Sequence, residues 1–415
     1  MAQATRDSHD LDPHDRDSHY TIISADCHAG GSHQQYREYL DPQYRDDFDA
    51  WRGRYKNPFR DLQDGGRVRN WDDDRRNGDL ERDGQVAEVV FPNTVPPFFP
   101  SFVLFAGPPK PDEYEHRVAG IRAHNRWLVD FCNRFPDRRA GIGQIFVNDI
   151  DDAIEQVKWI KDHGLRGGIL LPNVAPDVKW VKPLYDPEYD RLWAVCQDLD
   201  VPINVHGGTG APDYGKYAVA NLLFINEVSF YSQRPLVQFI LSGVFERFPK
   251  LKFVITETGG AWVPGLLKNL DRTLDRIRKT GRTGELAYSD EHKLNKLASE
   301  YFAQNCYVGV SQPGPLDAAA RHAIGLDKFM WGSDYPHDEG TMPYTRAHLR
   351  QIFSATPEAE MRKILGGNAA AVYGFDLARL APLAAKVGPT VGEIATPLTT
   401  LPDPPNEALL KGVDL

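Results

Sequence analysis

Cysteine is scarce and scattered in this chain: Cys27, Cys132, Cys196 and Cys306 lie far apart among 415 residues, and no two form a CxxC pair. That spacing argues against a zinc knuckle and a disulfide framework, and the cytoplasm is the expected compartment. An excess of positive charge is also missing. Lys and Arg number 48 against 58 Asp and Glu, giving a formal net charge of -10. Such a balance speaks against nucleic acid or an anionic membrane surface as partner and favours a small organic substrate. No run is long and apolar enough to span a membrane, and MAQATRDSHDLDPHDRDSHY at the start lacks the basic and apolar regions of a signal peptide. A GxGxxG fingerprint is absent after the first strand-like run, and no internal repeat is visible.

What remains is a composition of 41% hydrophobic and 26% charged residues, that of a soluble globular protein. Eight short runs rich in β-branched residues lie at 20–28, 87–93, 139–147, 165–173, 201–208, 251–260, 305–310 and 328–337. Most are followed by Gly, Pro or Asn. Segments of helical spacing separate them. In 149–164, Ile154, Val157 and Ile160 share one face, Asp149 or Asp151 can cap the start and Gly164 ends the run. Similar patterns occupy 187–200 and 235–249. The alternation predicts a distorted (β/α)8 barrel over 20–376, with an open doubly wound sheet as the rival. A polar insertion at 45–85, after the first strand, reads as a lid or an interface arm, and residues 1–19 as a disordered tail. Residues 377–415, which include ATPLTTLPDPPNEALL, read as an extended Pro-rich tail.

In a parallel barrel the strand C-termini converge on one rim, so residues distant in sequence meet there. Asp26 and His28 close the first strand at i and i+2, and an extended segment points both to one side. His206 closes the fifth strand before Gly207 and Gly208, and Asp334 closes the eighth within WGSDYPH. Each alone also reads as a turn, cap or core residue; together at three strand ends they form a mononuclear metal site. Two imidazoles and two carboxylates suit one divalent ion, with zinc taken first and manganese or iron as alternatives.

These residues carry a resemblance. ISADCH, INVHGG, TETGGAWVP, WGSDYPH and KILGGNAAAVYGFD, spread over 20–376, resemble the amidohydrolase superfamily. The similarity is to its amidohydrolase-related branch of metal-dependent hydrolases and decarboxylases, typified by aminocarboxymuconate semialdehyde decarboxylase. The resemblance implies a distorted (β/α)8 barrel with one catalytic divalent metal. Asp26 and His28 match the DxH form of the first-strand motif, His206 the fifth-strand ligand, and Asp334 the aspartate that touches the metal and moves the proton. It also implies a homodimer.

Glu257 departs from the pattern, because many decarboxylases of the branch place a histidine there. A carboxylate at that point can position a water, act as a base, or merely accept N–H groups of the next turn. Its negative charge disfavours a substrate carboxylate nearby. The expected activity is therefore hydrolysis by a metal-activated water, with non-oxidative decarboxylation of an aromatic or unsaturated acid as the alternative. A non-catalytic binding barrel is the third class, disfavoured by the complete ligand set. His337, three residues after Asp334, is a candidate at the pocket mouth. Arg234 is a candidate partner for an anionic substrate group, and Trp262 and Phe98 are candidate pocket walls. His124 and Asn125 read as packing residues of a helix. The apolar loop 93–112 suggests an aromatic or hydrophobic substrate.

Overall fold

A computed structural model describes residues 16–55, 65–290 and 293–413. Eight parallel strands form the sheet: β1 (Ile22–Ala29), β2 (Gln85–Pro92), β3 (Arg139–Gln144), β4 (Gly168–Leu170), β5 (Ile203–His206), β6 (Phe253–Thr256), β7 (Cys306–Ser311) and β8 (Phe329–Gly332). Each pairs with the next in that order, and all eight overlap the runs read from the sequence. β8 and β1 close the ring. A parallel bridge joins Cys27 to Tyr335, Asp334 N–H donates to Asp26 O at 2.8 Å and His28 N–H to Tyr335 O at 2.7 Å. The open doubly wound alternative is thereby excluded.

Side-chain alternation along the strands sorts the core into two layers. Ile23, Ala25, Phe91, Ile142, Leu170, Val254 and Met330 come from strands all round the ring and pack together inside it. Ile22, Val90, Ile203, Val205, Ile255, Val308 and Trp331 face outward and pack with helical residues such as Val157, Ile160, Trp193 and Phe239. The helix Ile150–Asp162 is capped by Asp149, whose carboxylate accepts from Asp151 N and Asp152 N, and Gly164 follows with φ 77°. The segment expected as a helix over 235–249 belongs instead to a longer helix, Ala220–Leu241, with Pro235 inside it, followed by the turn Val244–Arg247.

Two segments outside the repeating unit are braced against it. In the insertion, residues 56–64 lie outside the described residues, and the helix Asp73–Arg82 packs on the barrel. Its Arg76 is fully buried; the guanidinium binds both carboxylate oxygens of Glu88 on β2, and Nη1 donates to His28 O at 2.8 Å. Of the expected tail 1–19, residues 1–15 lie outside the described residues, and His19 bridges to Thr390. The C-terminal segment is extended only in part. Leu377–Val387, Val391–Ile394 and Glu407–Leu410 are helical, because Asp376, Thr390 and Asn406 cap amphipathic stretches that bury Leu380, Ile394 and Leu409. Among the described residues no helix is long and apolar enough to cross a membrane.

Removing one partner of a buried ion pair costs about 3–5 kcal/mol when the other charge is left uncompensated, and without Arg76 the Glu88 carboxylate keeps only the longer 3.4 Å contact to Arg139. Arg76→Met is expected to lower unfolding stability by roughly that amount in urea titration, and Glu88→Gln in the same chain to restore part of it. An unchanged midpoint for Arg76→Met would show that the pair does not anchor the insertion.

Candidate active site

The barrel rim is built by strands that end irregularly. Between Ser24 and Cys27, β1 advances three residues while β2 advances two, from Glu88 to Val90. This bulge reverses the inward parity. Ile23 and Ala25 face the barrel interior, and beyond the extra residue so do Asp26 and His28. Gly332 on β8 leaves the room, since a Cβ there would lie 2.7 Å from Asp26 Cβ. Three residues that follow β6, β7 and β8 take left-handed backbone: Glu257 with φ 58°, Gln312 with φ 41° and Asp334 with φ 62°. Each costs on the order of 1–3 kcal/mol and persists where its surroundings enforce it. Here the enforcing contacts are ladder bonds, Glu257 N to Gly309 O, Gln312 N to Gly332 O and Asp334 N to Asp26 O.

Asp26, His28, His206 and Asp334 are all fully buried. Asp26 Oδ1 lies 3.3 Å from the Nε2 atoms of both His28 and His206. Glu257 Oε2 lies 3.1 Å from His206 Nε2 and 3.9 Å from His28 Nε2. The other nitrogen of each ring faces a main-chain oxygen, His28 Nδ1 towards Pro92 O at 3.2 Å and His206 Nδ1 towards Gly207 O at 2.9 Å. With those bonds donated from Nδ1, both Nε2 lone pairs point into the same space. His28 Nε2 is buried with no hydrogen-bond partner. Asp26, His28, His206 and Glu257 can thus offer one cation four donors that all lie within 4.8 Å of one another, and two imidazoles with two carboxylates suit zinc, manganese or iron.

Asp334 falls in two adjoining groups, one with His28 and His337 and one with Glu257 and Glu339. Its Oδ1 lies 3.2 Å from His28 Nε2 and 2.7 Å from His337 Nδ1, and its Oδ2 accepts from Gln312 Nε2 at 2.6 Å. The His337 ring stacks on His28 with centroids 4.2 Å apart. His337 Nε2 faces Asn93 Oδ1 at 2.9 Å, and Asn93 Nδ2 donates to Asn70 Oδ1 at 2.6 Å. His337 Nδ1 and Asp334 Oδ1 stand at ion-pair distance without hydrogen-bond geometry, and Asp334 Oδ1, like His28 Nε2, is buried with no hydrogen-bond partner. Gln312 is held in turn by Lys411 of the C-terminal segment, whose Nζ donates to Oε1 at 2.7 Å. Asp26 Oδ2 accepts from Ser311 Oγ.

Opposing charges outweigh burial at most of these groups. Burial pushes Asp26 up, yet His206 and His28 hold its carboxyl below the ordinary range. Burial would lower His28 and His206, but Asp26 and Asp334 raise the first to about 10, and Glu257 and Asp26 raise the second to about 9. Glu257 is pushed up to about 7 by burial and by the Asp334 charge. Two protons on the imidazoles thus balance the acids, and a divalent cation can take their place.

The remaining sequence candidates do not join the cluster. Arg234 lines a separate groove on the helix Ala220–Leu241, with Tyr185, Phe230 and Leu241. Trp262 caps the helix Val263–Thr280 and donates Nε1 to Gly259 O. Phe98 packs against Phe48, Trp51 and His116. All three were placed by chain position alone, and none of them is among the residues that line the cavity described next. Sequence reading missed Ser311, Gln312, Asn93, Asn70 and Lys411. Their roles come from backbone turns and long-range packing and leave no motif, although Ser311 and Gln312 stand at a strand end where the barrel argument applies. A cavity of about 450 Å³ lies over the ends of β3, β4 and β5, lined by 103–108, by Gln144, Leu170 and Asn173, and by 208–215, which follow His206; no side chain of the cluster lines it, and Thr209 connects the two through its bond to His206 O. The 103–108 stretch belongs to the apolar loop singled out above.

Known proteins share this architecture. The amidohydrolase family profile matches residues 25–375. A curated relative, gamma-resorcylate decarboxylase of Rhodococcus jostii RHA1, is 22% identical over 278 residues, 64% of this chain and 79% of that protein. Among solved structures, an amidohydrolase of Mycobacterium avium subsp. paratuberculosis superposes with TM-score 0.63 at 19% identity, covering 86% of this chain and 99% of that one. A 5-carboxyvanillate decarboxylase of Novosphingobium aromaticivorans, complexed with manganese and 4-hydroxy-3-methoxy-5-nitrobenzoic acid, gives TM-score 0.63 at 18% identity over 86% of this chain and 96% of that one.

A ligand that binds only the folded protein stabilises it by mass action, about 2.7 kcal/mol at a hundred times its Kd. Manganese or zinc at that excess is expected to raise Tm by several degrees, and chelator to reverse the rise. His206→Ala is expected to abolish the effect, and a cation-independent Tm in the wild type would deny the cluster a metal.

Proposed function

This chain belongs to the amidohydrolase family, and within it we propose a metal-dependent, non-oxidative decarboxylase of an aromatic acid. The observation that carries the reading is the convergence of two Nε2 lone pairs and two carboxylates from β1, β5 and β6, with Asp334 standing beside them and linked to His337. The names of the relatives favour decarboxylation over hydrolysis. The expectation of hydrolysis rests on the negative charge of Glu257, and the placement of Glu257 among the donors removes its force: a cation held by Asp26, His28, His206 and Glu257 neutralises both carboxylates. Zinc was the first expectation, and a relative with bound manganese makes that ion an equal candidate.

A divalent cation held by Asp26, His28, His206 and Glu257 would supply Lewis-acid attraction for the substrate. This chain's residues do the rest. Asp334 gives a proton to the ring carbon that bears the carboxylate; the C–C bond then breaks, its electron pair restores the ring, and carbon dioxide leaves. Asp334 alone is held ionised: burial raises its pKa, but His337 and His28 outweigh that. The proton therefore reaches it from His337, whose pKa Asp334 raises against the effect of burial. The His337 side chain, 24% exposed, can recover the proton from solvent. Gln312 fixes Asp334 Oδ2 and leaves Oδ1 to the transfer.

The assignment separates holding the metal from moving the proton. Elemental analysis of protein prepared without chelator is expected to find about one divalent ion per chain, with Asp26→Ala and His206→Ala losing it. Asp334→Asn is expected to keep the ion while carbon dioxide release from hydroxybenzoic acids falls on the order of 10²- to 10⁴-fold. Loss of the ion in Asp334→Asn would return Asp334 to the ligand set, and release of an amine or alcohol without carbon dioxide would make the enzyme a hydrolase.

We propose further that the chain is a homodimer. The helix Ala220–Leu241 exposes Leu222, Ile225 and Phe230 at 65%, 70% and 62%, an apolar face that a second copy would cover. Sedimentation is expected to show a dimer that Ile225→Glu with Phe230→Glu dissociates; a monomeric wild type would refute it.

A further inference from the structure

The cavity beside the cluster carries information about the substrate beyond its reacting carboxyl. It measures about 450 Å³, whereas a hole of roughly 150 Å³ takes a benzene ring. One ring therefore leaves most of it empty. Its walls are largely apolar, with Phe105, Phe146 and Phe224 among them, and among the described residues no Lys, Arg or His lines it. Two cations near the cavity are committed to other contacts. Lys179 Nζ bonds Pro176 O, and the buried Arg117 gives Nη2 to Gly107 O and stacks on the Phe99 ring. The charged residues that do line it are Asp177 and Asp213, joined by a bond from Asp213 N to Asp177 Oδ2 at 3.0 Å.

Two polar side chains inside the cavity have unused capacity. Gln144, at the end of β3, is 1% exposed, and neither Oε1 nor Nε2 has a hydrogen-bond partner. Asn173 gives Nδ2 to Thr209 O and Tyr231 O but leaves Oδ1 unpaired. Buried amides without partners are costly, and a ligand that supplies a donor and an acceptor relieves both. A carboxylate in the same place would lose its water, gain no cation from the described residues and face two acids. Thr209, which lines the cavity, is tied to the cluster through Oγ1 donating to His206 O at 2.8 Å.

We infer that the substrate is an extended monocarboxylic acid: its reacting carboxyl sits at the cluster, and a second apolar body fills this cavity and ends in a neutral or cationic hydrogen-bonding group. The inference rests on the aromatic-acid reading given above. Gln144 is then a specificity-determining residue for the distal end, apart from the reaction itself.

The test is calorimetric binding to the metal-loaded protein with four probes: 2-hydroxybenzoate, and biphenyl hydroxy acids whose distal ring bears hydroxymethyl, aminomethyl or carboxylate. The hydroxymethyl and aminomethyl probes are expected to bind at least tenfold tighter than both 2-hydroxybenzoate and the distal carboxylate. Gln144→Leu is expected to erase the hydroxymethyl advantage and leave 2-hydroxybenzoate unaffected. Equal binding of the distal carboxylate, or no gain from the second ring, overturns the inference while the aromatic-acid reading stands. Failure of every probe to bind overturns both.

Discussion

The structure depends on the seam where the eighth strand meets the first. Asp334 N–H to Asp26 O and His28 N–H to Tyr335 O close the barrel, and the same residues supply much of the reactive cluster. Closing the ring and assembling the site are one event. A chain whose last strand failed to dock would lose the backbone bonds that hold Asp334 in its left-handed conformation and would carry its carboxylate away from His28. The buried Arg76 reinforces the seam from outside, since it binds the carbonyl of His28 and the carboxylate of Glu88 together.

Around that seam the dominant energetic problem is negative charge. Asp26, Glu257 and Asp334 are gathered at one rim, the first and last fully buried and Glu257 partly exposed, and a carboxylate taken out of water needs a compensating charge. His28 and His206 supply it when protonated, and a divalent cation supplies it when they are not. The cluster is therefore built to exchange protons for metal, with stability coupled to that exchange. Left-handed backbone at Glu257, Gln312 and Asp334 adds strain in the same place, where local stability is given up so that side chains can turn toward the barrel axis.

The segments added to the barrel act as supports. Asn406 donates to the carbonyls of Gly340 and Thr341 in the loop that follows His337, and Lys411 holds Gln312, which holds Asp334. The insertion after β1 contributes Asn70 to the chain of amides that orients His337. Reacting groups need placement within about 0.5 Å, and these contacts restrict Asp334 and His337 from opposite sides.

Periodicity and strand-end chemistry were legible in the sequence. Eight β-branched runs separated by helical spacing already imply the barrel, and the rim rule already brings Asp26, His28, His206, Glu257 and Asp334 into one neighbourhood, because a parallel barrel has one place for strand ends to meet. The tertiary structure alone decided which donors share a point. The bulge at Ser24–Cys27 and the left-handed turns at Glu257 and Asp334 set side-chain direction, and such torsions leave no mark in composition or spacing. It also decided that Lys411 reaches Gln312, since contacts between residues far apart in the chain exist only once the ring has closed.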